Sequence, residues 1–223
     1  MQQALSYLKY FFYIALNFNP VLAVAVLLDD IRGEHKYNLR TTGIKETYKL
    51  KIKGIDTSSA FEYMPSNYVL LEKVFNEVNK HPHNKTFLDI GCGKGRSLVV
   101  AAYFGFEKIM GIEFIPEYYR QLQKQINKIA VRFPAVSFSI TCTDAAQYKI
   151  PDEVQVIFFY NPFNEKVMRR VVQNIVASLS RAKRPLFIIY FNPIYKQQFL
   201  KEGFKEIYYT TRFHSLTACI LSR

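Results

Sequence analysis

FLDIGCGKG, residues 87–95, is an apolar strand that ends in Asp89 and Ile90 and runs directly into a turn with glycine at every second position. Gly91, Gly93 and Gly95 leave no Cβ between the main chain and a ligand. The helix-compatible run RSLVVAAYFGF (96–106) follows, so unpaired N–H groups and the positive end of a helix dipole face the turn. A unit of this kind holds a polar, adenosine-type ligand against bare backbone. Dinucleotide folds space their glycines as G-x-G-x-x-G and place a pyrophosphate at the helix N-terminus. Here the pattern is G-x-G-x-G, with Arg96 where the third dinucleotide glycine would fall. The carboxylate of Asp89 repels a pyrophosphate and suits a cationic amino group. A nicotinamide oxidoreductase is therefore the weaker reading.

The stretch 87–95 resembles the first motif of the class I S-adenosylmethionine-dependent methyltransferases. Their ligand, S-adenosyl-L-methionine, has an α-amino group and a sulfonium but no phosphate. IMGIEF (109–114) is a second short strand ending in an acid, Glu113. In a βαβ unit an acid there can accept both ribose hydroxyls, a contact shared with dinucleotide folds. Phe114 or Ile115 would lie against the adenine. The third strand, VSFSITC (136–142), leads to Asp144, which the resemblance places at the adenine amino group; an Asp capping the next turn is the alternative. The fourth strand, VQVIFFYNPF (154–163), ends in Tyr160, Asn161, Pro162 and Phe163. Ligands collect at such strand ends. Amino-directed methyltransferases carry a related N/D-P-P-Y/F motif there, in which an amide oxygen and a main-chain carbonyl orient the target nitrogen. The single proline makes N-P-F a partial match, and an Asn-Pro turn closing a strand is the other reading.

Downstream, EKVMRRVVQNIVASLS (165–180) has helical apolar spacing with Arg169 and Arg170 off the core stripe. PLFIIYFNP (185–193) reads as a buried strand, residues 194–201 as a short helix, and 204–211 with 215–222 as a terminal hairpin. The order from residue 85 is β-α-β-α-β-β-α-β-α-β-β. It predicts an α/β, Rossmann-like, seven-stranded and mostly parallel sheet with an antiparallel terminal strand.

GIDTSSAFEYMPSNYVLLEKVF (54–75) precedes the glycine strand. Tyr63, Pro65 and Ser66 resemble the Y-x-P-[AST] segment of a branch of non-SET protein-lysine methyltransferases and their bacterial relatives. In that branch the segment packs over the cofactor, so the resemblance implies cofactor-side roles for Tyr63 and Ser66. A helix start capped by Ser66 is the alternative.

The net charge is +12, and most of it lies beyond residue 84, where 20 cations face 10 acids. Arg120, Lys124, Lys128 and Arg132 recur at every fourth residue and form one basic stripe. That stripe is either a solvated face or a contact for phosphates. No zinc knuckle or RNA-binding signature accompanies it. Three cysteines without a C-x-x-C pair support neither a disulfide framework nor a zinc site, and the four histidines have no ligand set. The chain reads as metal-free and from a reducing, cytoplasmic compartment.

Residues 10–28 carry no charge, long enough for a membrane span. Asn17, Asn19 and Pro20 interrupt the run, and Asn19-Pro20 forms an N-cap and first-turn pair. The expectation is two helices of about ten residues that pack on the domain or lie in a membrane interface; a span and a cleaved signal are the alternatives. ETYKLKIKG (46–54) alternates apolar residues with lysine, as an edge strand or lid does. The sequence thus predicts N-terminal helices and an extended segment over 1–53 and a methyltransferase domain over 54–223. Asp89, Gly91, Gly93, Gly95, Glu113, Phe114, Asp144, Tyr63 and Ser66 are its candidate cofactor-binding residues, and Tyr160, Asn161 and Phe163 its candidate acceptor-orienting residues. The expected acceptor is a nitrogen, with protein lysine ahead of RNA or a small molecule. A non-catalytic cofactor-binding module at a membrane is the reading from a different class.

Overall fold

The computed structural model describes residues 2–43, 64–160 and 163–223. The expected strand at 46–54, Tyr63 and Asn161 lie outside the described residues.

After two N-terminal helices, α1 (Gln2–Asn17) and α2 (Pro20–Tyr37), comes α3 (Tyr68–Val78). The expected alternation then follows: β1 (Thr86–Ile90), α4 (Arg96–Tyr103), β2 (Lys108–Glu113), α5 (Pro116–Ala130), β3 (Ser137–Cys142), β4 (Val156–Tyr160), α6 (Glu165–Arg181), β5 (Phe187–Phe191), α7 (Lys196–Lys201), β6 (Lys205–Arg212) and β7 (Leu216–Ser222). The strands form one sheet in the order β3-β2-β1-β4-β5-β7-β6. β3, β2, β1, β4 and β5 are parallel, whereas β7 runs antiparallel to both of its neighbours. The order reverses between β1 and β4, where open α/β sheets form a crevice at their carboxyl ends. There Asp89 stands level with Phe158 of β4 and Gly111 of β2.

The central strands are buried on both faces, which explains their nearly continuous apolar sequences. Alternate residues feed two cores: Phe87, Val156, Phe158 and Ile189 pack with α3, α4 and α5, while Leu88, Ile157, Phe159 and Ile188 pack with α6. β3 lies at one edge and is half exposed.

The N-terminal run breaks where Asn19 and Pro20 predict it. Asn19 caps α2 by accepting from the Leu22 N–H (2.7 Å), and Pro20 is the first helical residue. The helices are nevertheless 16 and 18 residues long rather than about ten, because α2 carries Asp29, Asp30 and Glu34 into the interior without ending. Each acid finds a donor. Asp29 accepts from both Nε and an Nη of Arg212 (2.7 Å each), Asp30 pairs with Arg96 (2.7 Å), and Glu34 accepts from Tyr7 (2.6 Å) and Gln3 (2.9 Å). Tyr10, Ile14, Leu22, Ala23 and Val26 make a small core between the helices, and Tyr37 and Leu39 join the main one. No helix among the described residues is long and apolar enough to cross a membrane.

The basic stripe is also shorter than expected. α5 ends at Ala130, and Arg132 turns back to donate to the Tyr37 carbonyl (3.3 Å) and to the Tyr103 hydroxyl. It fastens α2 to the domain instead of extending the stripe.

Gly33 sets how closely α2 approaches α3. A Cβ built there would stand 2.1 Å from Cδ2 of the Tyr68 ring, itself fully buried and stacked on Tyr37 at 5.5 Å. Gly33→Ala should therefore destabilise the fold by about 1–3 kcal/mol despite alanine's higher helix propensity. Thermal unfolding checks this; a variant as stable as the parent would contradict the packing.

Candidate active site

The glycine turn joins β1 to α4. Gly91, Gly93 and Gly95 have φ of 89°, 51° and 80°, in the left-handed region, which costs glycine nothing. At Gly95 space forbids a side chain as well: a Cβ would lie 2.3 Å from Cδ1 of Leu122 on α5. The turn is held from β2, because Gly91 and Cys92 donate N–H to the Ile112 carbonyl (2.9 and 3.0 Å).

Glu113 binds the same turn through its side chain. Its two carboxylate oxygens accept the N–H of Gly93 and of Ile115, at 2.8 Å each. Burial raises its pKa, and these amides oppose that shift. Each oxygen has a second lone pair for another donor. Phe114, half-buried, follows directly.

Asp89 lies opposite, at the end of β1. It is buried, and one oxygen accepts from the Ser97 hydroxyl on the first turn of α4. The other, Oδ1, has no hydrogen-bond partner among the described residues. Burial pushes its pKa up to about 7, with Ser97 pulling down and the charge of Glu113 adding to the rise. An unpartnered buried acceptor costs about 1–3 kcal/mol. The same atom is therefore a ready acceptor for a cationic N–H donor at the turn.

The remaining candidates are distributed around this centre. Ser66 is buried, and its carbonyl accepts from an Nη of Arg96 (2.6 Å). The cap of α3 is Asn67 rather than Ser66, through the Leu70 N–H at 3.1 Å. Asp144 follows β3, and its Oδ1 accepts from the Ala146 N–H (2.8 Å), capping that turn. Tyr160 ends β4 with its ring edge-on to Phe191 at 5.8 Å. Burial pushes its hydroxyl up to about 12, so it stays neutral and serves as a donor or acceptor, not a base. Phe163 packs against the α6-side core, whereas Tyr160 packs against the α4-side core. Asp89, the three glycines and Glu113 thus form one cluster, Ser66 adjoins it through Arg96, and Tyr160 and Phe163 face different cores.

Arg96 is the residue whose role the sequence pattern did not assign. It begins α4, is 3% exposed, and its guanidinium lies 4.0 Å from the Tyr68 ring centroid. It donates to Asp30 (2.7 Å), the Ser66 carbonyl (2.6 Å), Thr41 Oγ1 (2.8 Å) and Thr42 Oγ1 (3.1 Å). The signal was electrostatic. A cation on a helix's first turn is disfavoured by the dipole and calls for a counter-charge, and Asp29 and Asp30 close an otherwise apolar segment. Among the described residues no group of three or more His, Cys, Asp or Glu is placed to hold a metal.

Residues 87–185, which carry this cluster and run from β1 through β4 to α6, match the family described as methyltransferase domain. Residues 87–185 form a methyltransferase domain. Solved structures share its fold at low identity. An RNA methyltransferase from Salinibacter ruber in complex with S-adenosyl-L-homocysteine is 14% identical with a TM-score of 0.54, covering 71% of this chain and 93% of that one. A putative methylase from Haemophilus influenzae is 16% identical with a TM-score of 0.53, covering 71% and 98%. A precorrin-6y C5,15-methyltransferase from Geobacter metallireducens is 12% identical with a TM-score of 0.54, covering 71% and 89%. No curated protein matches the sequence.

Removing Arg96 leaves Asp30 buried and unpaired. Arg96→Met should cost about 3–5 kcal/mol in urea unfolding, with part regained when Asp30→Leu is added. A loss near the ~0–1 kcal/mol of an exposed pair would contradict the network.

Proposed function

We propose that this chain is an S-adenosylmethionine-dependent methyltransferase that methylates a nitrogen acceptor, a lysine side chain of a protein. The observation that carries the reading is Asp89 Oδ1, a buried and unpartnered carboxylate oxygen beside a turn stripped of side chains. It fits the α-ammonium group of S-adenosylmethionine, and the remaining lone pairs of Glu113 fit its ribose hydroxyls. A pyrophosphate would meet two carboxylates here.

When bound, the cofactor would supply a methyl group from its sulfonium, the C–N bond forming as the C–S bond breaks with the electron pair left on sulfur and the nitrogen's proton lost to water. Orientation is what the protein adds. Tyr160, neutral and at the end of β4 beside β1, is assigned one hydrogen bond to the acceptor nitrogen; Asn161, next in the chain, is assigned a second. The lysine amine must arrive uncharged, and a desolvated approach favours that form. The lysine acceptor itself rests on the likeness of residues 54–75 to protein-lysine methyltransferases. The exposed Arg120, Lys124 and Lys128 on α5 favour RNA as the second reading.

Calorimetric titration with S-adenosylhomocysteine should give saturable binding that NAD does not reproduce. Asp89→Asn should weaken it roughly ten- to hundredfold, the worth of one charge-assisted hydrogen bond at about 1.5–3 kcal/mol. Undiminished affinity would remove Asp89 from the site. Methyl label transferred into lysate should then be protease-sensitive; nuclease-sensitive label would establish RNA, and label in neither a small molecule.

A further inference from the structure

The hairpin of α1 and α2 presents an apolar surface that the other described residues leave uncovered. Leu8, Phe12 and Leu16 on α1 and Val21, Val24 and Leu28 on α2 are all exposed, and Phe18 in the turn joins the two stripes. On each helix the positions recur at three and four residues, so they form one face apiece. The most exposed are at the tip, Leu16 at 83% and Val21 at 79%. Isolated exposed apolar residues are ordinary; a contiguous set running over a hairpin tip is an interaction surface.

The charges say what it meets. α1 has no acid, and all three acids of α2 are buried and tied inward to Arg212, Arg96 and Tyr7. The exposed charges of the hairpin are cations: Lys9 on α1 and Arg32 and Lys36 on α2, with Lys36 also paired to Glu72. Lys9 is seven residues from Leu16, about 10 Å along the helix. Arg32 is eleven residues from Val21, about 16 Å along α2, so both cations sit behind the apolar tip, within reach of the headgroups through their long side chains when the tip enters the acyl boundary. The chain as a whole carries +12, and a basic collar gains further from an anionic surface. A protein partner would be met by hydrogen-bonding groups among the apolar ones, but the tip offers only Asn17 and Asn19, and each turns one amide atom back on the hairpin, Asn17 Nδ2 to the Tyr13 carbonyl and Asn19 Oδ1 to the Leu22 N–H.

We propose that the α1–α2 hairpin docks the protein on an anionic lipid bilayer, inserting the tip around Leu16, Phe18 and Val21 without crossing it and seating Lys9 and Arg32 at the headgroups. This contact is independent of the methyltransferase chemistry. It places the domain at a membrane surface, and acceptors displayed there are the ones it would reach.

The test is flotation of the full chain with vesicles of phosphatidylglycerol and, separately, of phosphatidylcholine. The protein should float with the phosphatidylglycerol vesicles and not with phosphatidylcholine, and added salt should weaken the association. Leu16→Asp with Val21→Asp should abolish it while far-UV circular dichroism and thermal unfolding stay unchanged, since both side chains are in solvent. Lys9→Glu with Arg32→Glu, which keeps the apolar tip, should weaken it by about tenfold or more. Failure to float with phosphatidylglycerol, equal flotation with both lipids, or no effect of either double variant would overturn the proposal. So would a dimer in light scattering that Leu16→Asp with Val21→Asp dissociates, because the occupant would then be a second copy of the chain.

Discussion

The buried guanidinium of Arg96 is the point where the N-terminal helices and the glycine turn become one object. It sits on the first turn of α4, where the helix dipole opposes it, and deep enough that water does not relieve it. Asp30, Thr41, Thr42 and the Ser66 carbonyl supply the compensation, and the Tyr68 ring covers one face. Those partners come from α2, from the segment after it and from the approach to α3. The same turn of α4 provides Ser97 to Asp89. Three stretches far apart in sequence are thereby fixed around one end of β1, and a displacement of α2 is felt at Arg96, one residue from the Ser97 that donates to Asp89.

Much of this was legible because the domain's chemistry is local. Glycine at alternate positions after an apolar strand demands a left-handed turn, and the observed φ values supply it. Uninterrupted apolar strands between amphipathic helices permit little except a parallel sheet covered on both faces, and all seven strands and their order of appearance follow. Asn19-Pro20 marks a helix start by capping alone. Asp89 and Glu113 were legible as acids at strand ends, and both are found beside the turn.

What the sequence hid was pairing at a distance. Asp29, Asp30 and Glu34 read as the polar end of an apolar segment. They are instead its buried anchors, since Arg212 lies 183 residues from Asp29 and Arg96 lies 66 from Asp30. Periodicity carries no information about such partners, and for that reason α1 and α2 came out longer than a local reading allows. Arg132 shows the same limit. Spacing put it in a basic stripe, but the end of α5 two residues earlier turned it toward Tyr37 and Tyr103. Glu113 was assigned to a ligand, and the structure adds a prior task, holding the Gly93 amide in place.

Asp89 is proposed to accept the ammonium group of the cofactor as a carboxylate. In the free protein its pKa is raised to about 7 by burial, so below that pH the carboxyl holds a proton that it must give up to take a cation. Calorimetric titration with S-adenosylhomocysteine in buffers of different ionisation enthalpy measures that proton directly. Release should approach one proton per site below the pKa of Asp89, decline as pH rises above it, and be absent in Asp89→Asn. Binding without proton release below that pKa, or with the same release in Asp89→Asn, would contradict it.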